Sequence, residues 1–367
     1  MASKASLSTA SPSTASASEA SLSEASPSTA SASEASASKA VPARVTAVHK
    51  ERYQLICPHG QTFGRLKTAA YFAGGELFPT TGDFVLVDNY GMGDCRILRT
   101  LPRKSFFSRL DPSSSGHAEQ AVASNFDYVF ILQSLNYDFN LRRMERYLTL
   151  AWQSGAIPVI VLTKADLVSS YDEQVADIQS IAIGTDVVVI SAQSRFGLDS
   201  LEQYLQPKQT IVFLGSSGVG KSSLVNALMG SERMAVSAIR EDDSKGRHTT
   251  THRELIMLPC GAMVIDTPGM RELGMWDVSS GIDQSFSDVM QYVNQCKFGD
   301  CQHESEPGCA VKAALRSGDL SPERWKSYQN LMREAKFTQS KEAYLKIKQE
   351  KFKGISKHIR NNPDIRK

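Results

Sequence analysis

The sequence has few of the features that mark membrane, secreted or fibrous proteins. No apolar run approaches the roughly 18 to 20 residues that a helix needs to cross a bilayer, so we expect no membrane association. The N-terminus has no continuous apolar segment of the kind that secretory signals carry. Net charge is also small, a formal +2 from 41 Lys and Arg against 39 Asp and Glu, which neither indicates nor excludes a nucleic-acid partner. Because 41% of the 367 residues are apolar, most of the chain can bury a core, and this excludes a wholly disordered protein.

Cysteine is scarce as well, and its placement is uneven. Six cysteines in so long a chain do not form a disulfide framework, but three of them crowd together with one histidine as Cys296-x4-Cys301-x-His303-x5-Cys309. Three thiolates and one imidazole complete a tetrahedral zinc shell, so the pattern predicts one structural Zn²⁺ and a reducing, cytoplasmic location. The alternative is a set of reduced cysteines in a helical core.

Residues 1–40 differ in composition from the rest of the chain. They contain 15 Ser, 12 Ala and no aromatic residue, and the string SPSTASASEAS occurs at 11–21 and again at 26–36. So little apolar surface cannot offset the entropy lost on ordering, which predicts a disordered Ser/Ala-rich leader. An organelle transit peptide is the alternative, although three glutamates argue against it.

Pattern changes divide the remainder into three regions. Between 41 and 110, short β-like segments alternate with Gly-containing turns, which predicts a small OB-like β-barrel. From 111 to 280, near-continuous apolar runs alternate with helical stretches, as is typical of a parallel sheet covered on both faces by helices. Residues 281–367 have a helical pattern around the Cys/His cluster and end in a basic tail. The predicted fold class is therefore multidomain: a β-barrel, an α/β P-loop domain and an α-helical zinc-binding domain.

A phosphate-binding signature follows the apolar run TIVFL. The string GSSGVGKS at 215–222 stands between that run and the helix-like SLVNALM, the context that a P-loop requires. Glycines let backbone N–H groups close around phosphate oxygens, Lys221 neutralises the β- and γ-phosphates, and Ser222 supplies a hydroxyl to Mg²⁺. The predicted nucleotide contacts here are Gly215, Ser216, Ser217, Gly218, Val219, Gly220, Lys221, Ser222 and Ser223.

Other apolar runs also end in residues typical of nucleotide sites. Asp266-Thr-Pro-Gly269 follows one run, where the carboxylate would reach Mg²⁺ and the glycine N–H the γ-phosphate. The segment 163–166 follows another, and its aspartate can accept from the N1–H and exocyclic amine of guanine while the lysine stem packs on the base. A backbone N–H after the run at 187–191 can reach guanine O6, so together these segments indicate GTP rather than ATP. The predicted base contacts are Thr163, Lys164, Ala165, Asp166, Ser191 and Ala192.

The order of these segments is unusual. The base-recognition segments precede the phosphate loop, whereas ordinary small GTPases place them after it. Either order builds the same site, because every segment leaves the carboxyl end of a parallel strand. The sequence therefore predicts a circularly permuted GTPase domain.

From residue 41 onward the sequence resembles the RsgA (YjeQ) family, bacterial GTPases that assist late maturation of the small (30S) ribosomal subunit. The resemblance rests on the permuted order, GRHTTT at 246–251, DTPGMRE at 266–272 and CKFGDCQHESEPGC at 296–309. It implies an OB-type barrel, a zinc domain, binding to 16S rRNA as a monomer, and GTP hydrolysis that is slow alone and faster on the subunit. One departure from the general GTPase pattern is Thr163, where Asn is usual, which leaves base recognition to Lys164 and Asp166.

The residue that orients the attacking water is not evident from the usual motif. Met270 follows Asp-Thr-Pro-Gly, and its side chain cannot hydrogen-bond a water, although many GTPases carry Gln nearby. His248 in GRHTTT is the candidate, since imidazole can accept from water beside phosphate. Thr250 would bind Mg²⁺, and Lys221 completes the predicted catalytic set. The alternative for His248 is an exposed loop residue.

Three further alternatives stay open. The tail from 336 carries ten Lys and Arg against three acidic residues, which fits either rRNA contact or a solvated helix face. Nucleotide could be a static stabiliser of an RNA-binding module, a reading that Met270 favours. An unrelated ATPase is the third reading, and Asp166 argues against it.

Overall fold

The computed structural model describes residues 40–49, 52–66, 78–88, 93–110, 119–136, 138–231, 254–266 and 279–336. The predictions for the leader up to residue 39, for His248 and Thr250, for Gly269 and for the basic tail from 337 lie outside these residues. Among the described helices, none has both the length and the apolar character needed to cross a membrane.

The first five strands form a closed barrel. They are β1 (Val41–His49), β2 (Arg52–Cys57), β3 (Gly60–Leu66), β4 (Phe84–Asp88) and β5 (Cys95–Thr100). β1 pairs with β2 and β4, β2 with β3, β3 with β5 and β5 with β4; the β3–β5 pair is parallel and the others are antiparallel. Alternating residues such as Val45, Leu55, Val85 and Ile97 fill the interior and are fully buried. The predicted small barrel is confirmed.

An antiparallel hairpin follows the barrel, and the sequence pattern did not indicate it. β6 (Phe106–Leu110) pairs with β7 (Glu119–Ser124). Phe107 stacks on Phe126 with ring centroids 4.9 Å apart, so the hairpin contributes to the core beneath the next sheet.

The central sheet carries the apolar runs of the α/β region. Its strands are β8 (Tyr128–Ser134), β9 (Ile157–Thr163), β10 (Asp186–Val189), β11 (Thr210–Leu214), β12 (Glu254–Met257) and β13 (Met263–Asp266). Their spatial order is β10-β9-β8-β11-β13-β12, and the first five are mutually parallel. Val129 and Ile131 belong to one core cluster, Phe130 and Leu132 to the other, so both faces are covered. The predicted parallel sheet is confirmed; β12, antiparallel to β13, was not predicted.

Arg44 ties the barrel to the central sheet. This β1 side chain is buried and donates to the Asn125 carbonyl oxygen (2.9 Å) and to Thr210 Oγ1 (3.0 Å). Burial lowers the pKa of Arg44 to about 10, against the opposing charges of Asp127 and Asp83. Because Thr210 begins β11, the barrel is anchored on the strand that leads into the predicted phosphate loop.

Helices surround the sheet and make up most of the C-terminal region. They are α1 (Leu141–Gln153), α2 (Asp172–Ile181), α3 (Lys221–Met229), α4 (Ser279–Ser285), α5 (Ser287–Val293), α6 (Ala310–Ser317) and α7 (322–336). Buried Arg324 of α7 donates to Glu145 of α1 at 2.7 Å and to Asp288 of α5 at 2.9 Å. The buried pair with Glu145 joins the C-terminal helices to the α/β region, and the pair with Asp288 links two of those helices. The domain boundaries at 110 and 280 stay predictions.

Candidate functional site

The predicted phosphate loop connects the middle strand of the sheet to a helix. Residues 215–220 run from β11 to the start of α3. Gly218 and Gly220 have φ values of 73° and 101°, in the left-handed region that favours glycine. A β-carbon at Gly215 would lie 2.8 Å from the Leu132 carbonyl oxygen, so a larger residue would clash there. The glycines therefore permit a tight loop at a helix N-terminus, the geometry that binds phosphate.

Lys221, the first residue of α3, faces this loop. Its Nζ donates to the carbonyl oxygens of Gly215 (2.8 Å) and Ser216 (2.5 Å). Asp266 ends the neighbouring β13, where burial raises its pKa and the charge of Lys221 opposes the rise. A cation and a carboxylate thus interact at one sheet edge beside the loop.

Thr163 connects the predicted base-recognition segment to the phosphate loop. It ends β9, its side chain is buried, and its Oγ1 donates to the Val219 carbonyl oxygen at 2.7 Å. A β-carbon at Gly220 would lie 3.9 Å from the same Oγ1. The next residue, Lys164, adopts the left-handed conformation (φ 62°, ψ 40°), which turns the chain at the end of the strand. The two predicted segments therefore flank one site.

Asp166 is oriented by the segment after β10. Ser191 Oγ donates to Asp166 Oδ1 at 2.5 Å and accepts from the Ser194 N–H at 3.1 Å. The Ser191 N–H donates to the Phe196 carbonyl oxygen at 2.9 Å. Because the Ser191 N–H already donates within the protein, the backbone N–H of Ala192 is the remaining candidate for the predicted hydrogen bond to guanine O6.

The structure brings the described candidates to a single edge of the sheet. Thr163 to Asp166, Ser191, residues 215–223 and Asp266 all follow the carboxyl ends of parallel strands. Asp138 also lies here and was missed by the sequence analysis: its Oδ2 accepts from Ser216 Oγ at 2.5 Å. Asp138 comes shortly after β8, so the search for polar residues following buried strands could have found it.

A second candidate site is the Cys/His cluster. The ligand atoms of Cys296, Cys301, His303 and Cys309 lie within 4.8 Å of one another. His303 Nδ1 is 3.5 Å from the Sγ atoms of Cys296 and Cys309, which are 3.9 Å apart. Tetrahedral zinc, with Zn–S of about 2.3 Å and Zn–N of about 2.0 Å, requires ligand separations of about 3.5 to 3.8 Å. The donor set therefore fits a structural zinc ion, and the separations among Cys296, His303 and Cys309 are close to those that zinc requires.

The surroundings of the cluster shift the pKa values of two of its thiols in opposite directions. Cys309 is the N-cap of α6, and its Sγ accepts from the Lys312 N–H at 3.5 Å. Burial raises the pKa of Cys296, but hydrogen bonds from the N–H groups of Val311 and Ala310 and from the other thiols of the cluster outweigh it and leave the pKa below its usual value. Burial raises the pKa of Cys301 to about 11. The N–H groups of Val311 and Ala310 point at sulfur in the way that backbone N–H groups at a helix N-terminus point at a bound anion.

Contacts outside the ligand set hold His303 in place. His303 has a φ of 62°, and the Glu306 carboxylate accepts from the N–H groups of Gln302 and Glu304 on either side of it. The hydrogen bonds that the Glu306 carboxylate accepts from backbone N–H groups lower its pKa to about 2. Trp325 of α7 packs edge-on against the imidazole, with ring centroids 5.3 Å apart. His303 is therefore fixed by the loop and by α7.

Comparison with known proteins places the chain in a family. The family model described as RsgA GTPase matches residues 100–276. Curated relatives named small ribosomal subunit biogenesis GTPase RsgA include one from Listeria innocua, 45% identical over 322 residues, covering 87% of this chain and 91% of the relative. Another, from Methanosarcina acetivorans, is 40% identical over 321 residues, covering 86% of each chain.

Solved structures have the same fold. YjeQ from Thermotoga maritima has a TM-score of 0.60 and 24% identity, covering 81% of this chain and 98% of that one. YloQ, a circularly permuted GTPase, has a TM-score of 0.55 and 23% identity, covering 81% and 95%. The predicted permuted order and family resemblance are confirmed. The chain belongs to the RsgA family of GTP hydrolases.

Proposed function

We propose that this GTPase binds the small ribosomal subunit and assists its late maturation, hydrolysing GTP slowly alone and faster on the subunit. Relatives 40 to 45% identical over most of the chain carry the name of small-subunit biogenesis GTPases. The observation that carries the proposal is the hydrogen bond between Thr163 and the Val219 carbonyl oxygen, which holds the base-recognition and phosphate segments at one site. The proposal includes contact with 16S rRNA, action as a monomer and a cytoplasmic location.

Each strand end has a distinct role in the proposed site. Asp166, oriented by Ser191, accepts from guanine, and Lys164 packs on the base. The N–H groups of residues 215–223 surround the phosphates, and Lys221 exchanges its loop carbonyl partners for β- and γ-phosphate oxygens. Thr163 is a positioning residue, because its hydroxyl is committed to the loop.

Metal ions would be held by two different sets of side chains. Ser222, Thr250 and Asp266 would hold Mg²⁺, which when bound neutralises charge on the phosphate oxygens. Burial raises the pKa of the Asp266 carboxyl, and the nearby ammonium of Lys221 partly offsets that rise. Zn²⁺ would be held by Cys296, Cys301, His303 and Cys309, where a closed shell leaves no position for catalysis.

His248 is the proposed water-orienting residue, and the Gly269 N–H would contact the γ-phosphate. Met270 offers no hydrogen bond to water, so the imidazole of His248 takes that role in this proposal. Contact with the subunit would place His248 beside the γ-phosphate, which accounts for slow turnover by the protein alone.

GTP turnover measured with and without purified small subunits tests this proposal. We expect stimulation of more than about tenfold, equivalent to about 1.4 kcal/mol of transition-state stabilisation. Purified large subunits are the control and should give no stimulation. Equal single-turnover rates with and without small subunits would favour the static nucleotide-binding module instead.

The His248→Ala variant, compared in the same assay, should keep its GTP affinity and lose most of the stimulation, so that its turnover on small subunits falls by about tenfold or more. Unchanged stimulated turnover would remove His248 from the mechanism.

A further inference from the structure

An ion pair lies directly behind the phosphate loop. Asp138 Oδ2 accepts from Ser216 Oγ at 2.5 Å, and Asp138 Oδ1 accepts from Arg143 Nη2 at 2.8 Å. Ser216 is the second residue of the loop, and its own carbonyl oxygen accepts from Lys221 Nζ at 2.5 Å. One loop residue therefore contacts the carboxylate through its side chain and the phosphate-binding lysine through its backbone.

The carboxylate is held firmly in this position. The Asp138 carbonyl oxygen accepts from Gln133 Nε2 of β8 and from Arg143 Nη2, each at 2.5 Å. Arg143 lies in the first turn of α1, where its backbone N–H donates to the N-cap Asn140 at 3.0 Å. Strand β8 and helix α1 thus fix Asp138 from both sides.

A negative charge at this place opposes phosphate binding unless it is neutralised. At a partly exposed site, a carboxylate and a phosphate a few ångströms apart repel each other. The Arg143 side chain is 28% exposed and that of Asp138 42%, so their attraction is only partly screened by water. Arg143 compensates the charge, while the carboxylate still accepts the Ser216 hydroxyl.

We propose that Asp138 and Arg143 are positioning residues for the phosphate loop: Asp138 anchors Ser216, and Arg143 makes the carboxylate compatible with a bound nucleoside triphosphate. The inference rests on the proposed nucleotide site. It predicts that the effect of the Arg143 charge on GTP binding depends on the presence of the Asp138 charge. A purely structural role of Arg143 in α1 does not require this dependence.

Equilibrium binding of a fluorescent GTP analogue and a fluorescent GDP analogue tests this interdependence. We expect Arg143→Met to weaken GTP binding by about tenfold and GDP binding less, because GTP carries more negative charge. Asp138→Asn retains an acceptor for Ser216 and should bind GTP within about threefold of the wild type. The double variant should recover to the level of Asp138→Asn, since no carboxylate is left to compensate. Arg142→Met is the matched control, because Arg142 is an exposed neighbour of the same charge, and it should leave binding unchanged.

The outcomes separate this inference from the proposed function. If the wild type binds the GTP analogue and Arg143→Met binds it equally well, or if the double variant is as weak as Arg143→Met, the inference is wrong and the nucleotide site stands. If the wild type itself binds no GTP, the proposed function fails.

Arg143→Lys keeps the charge and should bind within about threefold of the wild type. Should Arg143→Met fail to fold, a folded Arg143→Gln replaces it: weak GTP binding by Arg143→Gln together with recovery in Asp138→Asn/Arg143→Gln would support interdependence, and wild-type binding by Arg143→Gln would contradict it.

Discussion

Replacement of Lys221 by methionine is expected to reduce GTP turnover by about two to three orders of magnitude, the usual cost of losing one preorganised donor to a developing negative charge. Lys221 Nζ bonds the carbonyl oxygens of Gly215 and Ser216, so it already lies in the loop that would receive the phosphates. Methionine has a similar length and no charge, and the loop glycines are unchanged. Turnover under saturating GTP and Mg²⁺, with and without small subunits, measures the loss.

An exposed lysine provides the matched control for this variant. Lys326 on α7 is exposed and remote in sequence from the strand ends, so Lys326→Met removes the same charge from a different surface. Its intrinsic turnover should equal that of the wild type. Turnover of Lys221→Met within about threefold of the wild type would contradict the role of this lysine in phosphate binding.

Replacement of Cys309 by serine is expected to release the metal and unfold the helices that the cluster joins. Cys309 is buried, caps α6 and lies 3.9 Å from the Sγ of Cys296. Zinc at structural sites contributes about 10 to 16 kcal/mol, comparable with the whole stability of a domain. We expect zinc content to fall from about one ion per chain to near zero, with proteolysis of the region around α6.

Another cysteine gives a direct comparison. Cys260 is exposed and lies outside the cluster, so Cys260→Ser should retain both zinc and thermal stability. Removing metal from the wild type with a chelator should reproduce the Cys309→Ser result. A wild type that purifies without zinc, or a folded Cys309→Ser protein of unchanged stability, would contradict a structural zinc site.

The sequence was sufficient for the parts of the fold that depend on local patterns. The apolar runs between 111 and 280 were recognisable as parallel strands because strands buried on both faces need no alternation of apolar and polar residues. The Cys/His spacing likewise brought its four ligand atoms together. The permuted order followed from motifs whose position at strand ends is fixed by their chemistry.

The remaining features depend on contacts between residues far apart in the chain. Arg44 bonds Thr210, and Arg324 bonds Glu145, in pairs separated by 166 and 179 positions. Arginine is usually exposed, so nothing local marks these two as buried. β6 and β7 also lacked a strong local signal, and Asp138 was overlooked because it follows β8 outside the nucleotide-binding motifs of this sequence.

Thr163 illustrates how structure refines an interpretation drawn from sequence. Its place in the position usual for Asn implied that Lys164 and Asp166 carry base recognition alone. The buried hydroxyl donates to the Val219 carbonyl oxygen, so its hydrogen is used within the protein. This contact supports that interpretation and adds a positioning role that the sequence did not indicate.

The central claim is that Asp166 reads the base of the same nucleotide whose phosphates Lys221 binds, and a change of base specificity tests it most directly. A carboxylate accepts from guanine N1–H and its amine, whereas an asparagine amide can accept from N1–H and donate to the O2 of xanthine. We expect Asp166→Asn to reverse the preference from GTP to xanthosine triphosphate by about a hundredfold or more, because the donors and acceptors of the side chain then match xanthine and no longer match guanine. Hydrolysis of xanthosine triphosphate by this variant should be lost on adding Lys221→Met. An Asp166→Asn protein that still prefers GTP, or whose turnover is indifferent to Lys221→Met, would contradict the account.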